Sequence, residues 1–247
     1  KISTGRNEDK FGISDKSFVK LLKKFHNSKN INIKCLSVHI GSQILDYRPY
    51  SKMVSVIDNI IKKTKYKFDY IDLGGGMGID YHSNSKKLDY KKYSLVIKNF
   101  LKKHKVKIIF EPGRSIIGNT GSLISKVIYV KSSSKKNFVI LDSAMNDFMR
   151  PALYGSYHRI IPAIKNNTVI KKIHDFVGPI CETTDSFLSL KKYQKINEND
   201  VLAICDTGAY GIVLASNYNL RTKPAEIMIN KSNFKVISKR ENINKIA

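Results

Sequence analysis

The sequence predicts an α/β half followed by a mostly β half, and three observations carry that reading. Short apolar runs alternate with helical periodicity from residue 14 to about 118, and these runs end at nearly equal intervals. Beyond "SIIGNTG" the texture changes to brief β-branched and aromatic runs separated by polar loops. At 247 residues and 42% hydrophobic content, the chain can bury a substantial core, enough for one barrel or two smaller domains.

In the first half, "INIKCLSVHI" (31–40) reads as a strand, "YSKMVSVIDNIIKKTK" (50–65) as a helix and "FDYIDL" (68–73) as a second strand. A second helix, "YKKYSLVIKNFLKK" (90–103), and a third strand, "VKIIFE" (106–111), follow. The strands close near His39, Gly74 and Glu111, so the repeat suits parallel strands joined by helical crossovers. In the second half, "SLISKVIYV", "NFVILD", "TVI", "DFVGPI", "DVLAICD" and "AEIMI" read as strands, and "KSSSKK" (131–136) as a polar hairpin connection.

Composition excludes several classes. No apolar run reaches the 18 or so residues that span a bilayer, and "KISTGRNEDK" has no signal-peptide core, so a cytoplasmic protein is expected. Three cysteines without C-x-x-C spacing argue against a disulfide framework or zinc site; Cys35 and Cys205 read as core residues. The histidines lack ligand spacing, so no metal is expected. The net charge of +24 invites a nucleic-acid reading, but only seven of the 44 basic residues are Arg and no nucleic-acid motif accompanies them. The charge reads as a bias towards Lys, and neither nucleic acid nor membrane is an expected partner.

Each strand of the first half ends in a chemically loaded motif, at the end of a parallel sheet where active sites are assembled. The motifs are "HIGSQI" with His39 and Ser42, "IDLGGGMGID" with Gly74, Gly75 and Gly76, and "FEPGRSIIG" with Glu111, Gly113 and Arg114. The glycines do not complete G-x-G-x-x-G, because Ile79 stands where the third glycine should fall, and no G-K-[ST] follows. A plain strand-to-loop turn also suits them. Glu111 ends a fully apolar strand and reads as buried, and Arg114 could be no more than its salt-bridge mate. Taken together, the three endings suit a phosphate on a flat aromatic cofactor. Glycine N–H groups and Ser42 can hold the phosphate, an imidazole can stack on the ring, and a carboxylate can pair with a protonated ring nitrogen. Pyridoxal 5'-phosphate needs all of these.

The sequence resembles the fold-type III pyridoxal-phosphate decarboxylases over essentially its whole length. The motifs are "ISTG…KFGI" (2–13), "HIGSQI" (39–44), "DLGGGMGI" (72–79), "EPGR" (111–114), "RPALYGSYH" (150–158), "GPICETTD" (178–185) and "DTGAYGIVLASNYNLRTKPAEI" (206–227). "CETTD" and the last motif resemble the branch acting on diaminopimelate. The resemblance implies a partial TIM-type (β/α)8 barrel over 1–118 and a C-terminal mostly β domain over 119–247 that completes the substrate site. It implies decarboxylation of meso-2,6-diaminopimelate to L-lysine. His39 is expected against the cofactor ring, Ser42 and Gly74–Gly76 at the phosphate, and Glu111 at the pyridine nitrogen. Gly113, Arg114 and Tyr210 are expected to touch the cofactor too. Arg114, Arg150 and Tyr154 are expected to bind substrate carboxylates, Glu182 the distal ammonium, and Tyr210 the substrate. Cys181 is expected as proton donor across a homodimer interface.

The family's cofactor lysine lies in an N-terminal segment ahead of the "ISTG" motif, and no lysine here occupies that motif. The sequence is therefore read as the C-terminal part of the enzyme, its N-terminal half supplied by a longer chain or a separate polypeptide. Alternative readings are a non-catalytic remnant or regulatory subunit, or a decarboxylase of another basic amino acid or polyamine. Outside the family, Arg150 and Tyr154 could be a surface pair and "GAYG" an ordinary helix entry.

Overall fold

The structure is a computed structural model that describes residues 10–245. The "ISTG" motif at 2–5 lies outside the described residues. Two compact units divide the chain, Lys1–Ile116 and Ile117–Ala247.

The first unit runs α1 (Asp15–Phe25), β1 (Cys35–Ser37), α2 (Arg48–Thr64), β2 (Tyr70–Asp72), α3 (Tyr90–Lys103), β3 (Lys107–Ile109) and α4 (Arg114–Ile117), the last residue of α4 opening the second unit. Local chemistry explains the helix ends. Ser14 accepts the Ser17 N–H at the start of α1, and Asp89 accepts the Lys92 N–H at the start of α3. Pro49 sits in the first turn of α2, which stops where Lys65 turns left-handed at φ 54°. The strands pair in parallel in the order β1-β2-β3, with Ser37, Asp72 and Ile109 in register. Tyr50 and Ile57 of α2 and Phe100 of α3 close a core with Ile71, Leu73 and Phe68. The strands are much shorter than the apolar runs predicted. Only three residues of the run 31–40 form β1, because the chain leaves the ladder where Gly41 (φ 120°) and Gly74 (φ 63°) bend it into loops. Cys35 stands half-buried on this single-partner strand, not in the core as expected.

The second unit is built on a six-stranded sheet, ordered β6-β11-β4-β5-β8-β9. Its strands are β4 (Ser122–Ser132), β5 (Lys136–Leu141), β6 (Ile160–Pro162), β8 (Ile173–Val177), β9 (Ser186–Leu190) and β11 (Val201–Cys205). All neighbours are antiparallel except β5 and β8. The β4–β5 hairpin turns through the polar run at 131–136, closed by Ser133 and Lys136. Val127, Val139, Leu141, Phe176, Leu202 and Ile204 form its core. One short helix, α5 (Arg150–Tyr154), and two two-stranded ribbons, β7 (Val169–Ile170) with β10 (Tyr193–Gln194) and β12 (Glu226–Asn230) with β13 (Asn233–Ser238), complete the unit. Among the described residues, no helix is long and apolar enough to cross a membrane.

Candidate functional site

Two residues beyond the aligned triple Ser37, Asp72 and Ile109 stand His39, Gly74 and Glu111. The register of the sheet therefore brings the three motifs to one edge of the first unit. Backbone bonds fasten them: Val38 N–H to Asp72 O at 2.9 Å, Leu73 N–H to Ile109 O at 3.0 Å and Glu111 N–H to Gly74 O at 2.9 Å. Buried Asp72 takes the Gly74 N–H on one oxygen and the Ser37 hydroxyl on the other. The loops "HIGSQI" and "GGGMGI" then run side by side. Ile44 bonds Gly76 and Gly78 through its backbone, and the Gln43 amide donates to Ile79 O at 2.6 Å. Buried Tyr50 donates its hydroxyl to Gly75 O, and burial pushes its phenol far above the ordinary value.

The three glycines answer to this crowding. A Cβ on Gly74 would fall 2.6 Å from Val38 O and 2.9 Å from His39 Nδ1. One on Gly75 would strike the Glu111 carbonyl, and one on Gly76 the Gly41 carbonyl. Gly41 and Gly113, in contrast, face open space. His39 and Glu111 are exposed and Ser42 is half-buried. The expectation of a buried Glu111 is thus overturned, because it lies past the end of the edge strand β3, where Ile109 and Phe110 are themselves about two-fifths exposed. Arg114 is the buried member, 7% exposed, and its Nη1 donates to Tyr81 Oη at 2.9 Å. These residues fit pyridoxal phosphate: unobstructed backbone at Gly41 and Gly113, a hydroxyl, an imidazole and a solvent-facing carboxylate lie on neighbouring loops of one sheet edge.

In the second unit Arg150 opens α5 and is 2% exposed, whereas Tyr154, four residues on, is 38% exposed. The surface-pair reading fails for Arg150. The loop 178–185 carries Cys181 and Glu182, both exposed, and hangs on Asp185. One Asp185 oxygen accepts the Met145 N–H at 2.7 Å and the other the Ile180 N–H at 2.8 Å, though burial still pushes its carboxyl up. The Glu182 carboxylate is held below its ordinary value by hydrogen bonds from Tyr218 Oη at 2.7 Å and Thr184 Oγ1 at 2.8 Å. Tyr210, at φ 57°, is 46% exposed in a loop and does not open a regular helix. Sequence reasoning missed a part-buried network centred on Arg221 and Asn146. Arg221 donates to Asn146 Oδ1 and Asp142 O, and Asn146 donates to Ser216 O. Arg221 lies inside the quoted "SNYNLRTKPAEI", but nothing local marks Asn146 as its partner.

Residues 1–118 match the family described as "Pyridoxal-dependent decarboxylase, pyridoxal binding domain". The diaminopimelate decarboxylase of Aquifex aeolicus is 39% identical over 98% of this chain and 58% of its own length. The chain is similar to the pyridoxal-dependent decarboxylases, and its residues 1–118 match their pyridoxal binding domain. The diaminopimelate decarboxylase of Neisseria meningitidis serogroup B is 37% identical over 98% of this chain and 58% of its own length. The crystal structure of the Helicobacter pylori diaminopimelate decarboxylase complexed with L-lysine superposes with a TM-score of 0.90 at 35% identity, covering 99% of this chain and 61% of that one. The chain thus spans about three-fifths of the length of the relatives it matches.

Proposed function

We propose that the chain forms part of a cytoplasmic diaminopimelate decarboxylase, which releases CO2 from the D-configured carbon of meso-2,6-diaminopimelate and leaves L-lysine. The observation that supports this best is the row of strand ends bearing His39, Gly74–Gly76 and Glu111, in a chain similar to diaminopimelate decarboxylases over 98% of its length. In this reading residues 1–118 contribute to a TIM-type (β/α)8 barrel that binds the cofactor. Residues 119–247 form the β domain that supplies further substrate ligands. The relatives extend well beyond the matched length, and the complete enzyme includes that further portion, in one longer chain or as a second polypeptide.

Pyridoxal 5'-phosphate, when bound, supplies a conjugated ring that takes up the electron pair left as the carboxylate departs. Ser42 and the backbone of Gly74–Gly76 and Gly113 hold its phosphate, and His39 and Tyr210 pack against it. The exposed Glu111 carboxylate keeps a proton on the ring nitrogen. Arg114, Arg150 and Tyr154 bind substrate carboxylates, Arg by its paired donors. Hydrogen bonds from Tyr218 and Thr184 keep Glu182 ionised, suited to a distal ammonium. The exposed Cys181 thiol returns a proton to the α-carbon in the site of a second copy, so the working unit is at least a homodimer.

The test is CO2 release from meso-diaminopimelate with added pyridoxal phosphate, for the chain alone and combined with the remaining portion of a relative. Activity in the combination is expected. Silence in an assembled combination would refute the proposal.

A further inference from the structure

Arg150 and His158 close the motif "RPALYGSYH" at both ends, and they are 2% and 1% exposed. Arg150 Nη1 lies 3.2 Å from His158 Nε2, and His158 Nδ1 lies 2.9 Å from the carbonyl oxygen of Cys205. A guanidinium can only donate and a carbonyl can only accept. One state of the ring satisfies both contacts: a neutral imidazole with its proton on Nδ1 and a bare lone pair on Nε2. The ring itself is immobilised edge-on against Phe148, centroids 4.6 Å apart at 86°. Its anchor, Cys205, ends strand β11, which is paired on both sides by β6 and β4, and bonds the Arg159 carbonyl through its N–H at 2.8 Å. A rigid chain of contacts thus runs from the sheet through the imidazole to the guanidinium on α5.

We infer that His158 is a positioning residue that sets the guanidinium plane of Arg150 for a two-point grip on a substrate carboxylate, and that it does so as the Nδ1–H tautomer. The inference rests on the reading of Arg150 as a carboxylate ligand. Two parallel N–H···O bonds form only when the guanidinium and carboxylate planes coincide. A fixed acceptor at one Nη holds the terminal torsion that sets this plane, and the acceptor is itself fixed by β11 and Phe148.

Two substitutions separate the nitrogens. His158→Asn keeps a donor near Nδ1 but offers no acceptor at Nε2, whereas His158→Gln brings an acceptor oxygen to the Nε2 position. In the assembled holoenzyme, His158→Asn is expected to raise KM for meso-diaminopimelate about tenfold with kcat within about threefold, and His158→Gln to restore KM to within about threefold of the native value. A native KM in His158→Asn, or a KM in His158→Gln no better than in Asn, overturns the positioning role. Arg150→Lys distinguishes that failure from failure of the underlying reading, since an unchanged KM there removes Arg150 from the substrate altogether. Nitrogen-15 NMR of the imidazoles in the unsubstituted chain reads the tautomer without any turnover. A His158 protonated on Nε2, alone or together with Nδ1, near neutral pH overturns the inference even if every variant fails to fold.

Discussion

Gly75 shows what one absent methyl group does. Its missing Cβ is the space in which the Glu111 carbonyl sits, while Glu111 in turn donates its N–H to Gly74 O. Gly75→Ala must push the two loops apart, and overpacking of this kind typically costs ~1–3 kcal/mol. Denaturant titration is expected to show that loss, and absorbance of the retained cofactor in the assembled enzyme a weaker hold on pyridoxal phosphate. Native stability and retention in the variant would contradict the packing account. From the sequence the glycines had two explanations, a turn or bare backbone for an anion. The structure adds the close approach of a neighbouring chain, which no local pattern encodes. The same holds for "EPGR". The motif was legible, but the exposure of Glu111 and the burial of Arg114 on Tyr81, 33 residues earlier, depend on where the sheet edge lies.

The extents of the two helices read from the sequence were more legible than those of the strands. The helix α3 matches its predicted span, residues 90–103, because its signals are local. Asp89 caps the first turn, Tyr93, Ile97 and Phe100 make the buried stripe, and His104 already lies in extended backbone. Asp89→Ala is expected to lower stability by about 1 kcal/mol, the usual worth of such a cap. Thermal unfolding monitored by circular dichroism tests it, and an unchanged midpoint would show that the cap contributes nothing. Strand extents answer instead to the neighbour. The ten-residue run at 31–40 yields a three-residue β1. In contrast "NFKVIS", which carries no strong strand pattern, becomes β13 because β12 lies antiparallel beside it.

On the scale of the whole molecule, a charge of +24 makes the few buried or paired carboxylates decisive for pH dependence. Asp58 joins two helices of the first unit, accepting from Lys62 Nζ on α2 and facing His104 Nε2, just past α3, each at 2.7 Å. Those hydrogen bonds hold its carboxyl below the ordinary 3.8. A depressed folded value stabilises above the unfolded value and loses that contribution as pH falls through the folded one. Burial raises Asp147 and Asp185, so their contribution runs oppositely, full below 3.8 and lost as pH rises through their folded values. The variant Asp58→Asn is therefore expected to be less stable near neutrality and to lose less stability on acidification between pH ~5 and ~2, as read by urea titration at each pH. Parallel acid limbs in the two proteins would remove Asp58 from the account. The sequence by itself determined the alternation of β1, α2, β2, α3 and β3, the strand-end motifs and the resemblance to the decarboxylases, since each is written in contiguous residues or a fixed period. Only the tertiary structure decided which strand-end side chains are buried, why three glycines stand together, and that the His158 ring lies between Arg150 and the Cys205 carbonyl. Those outcomes turn on contacts of about 3 Å between residues far apart in the chain, and such contacts leave no local trace in the sequence.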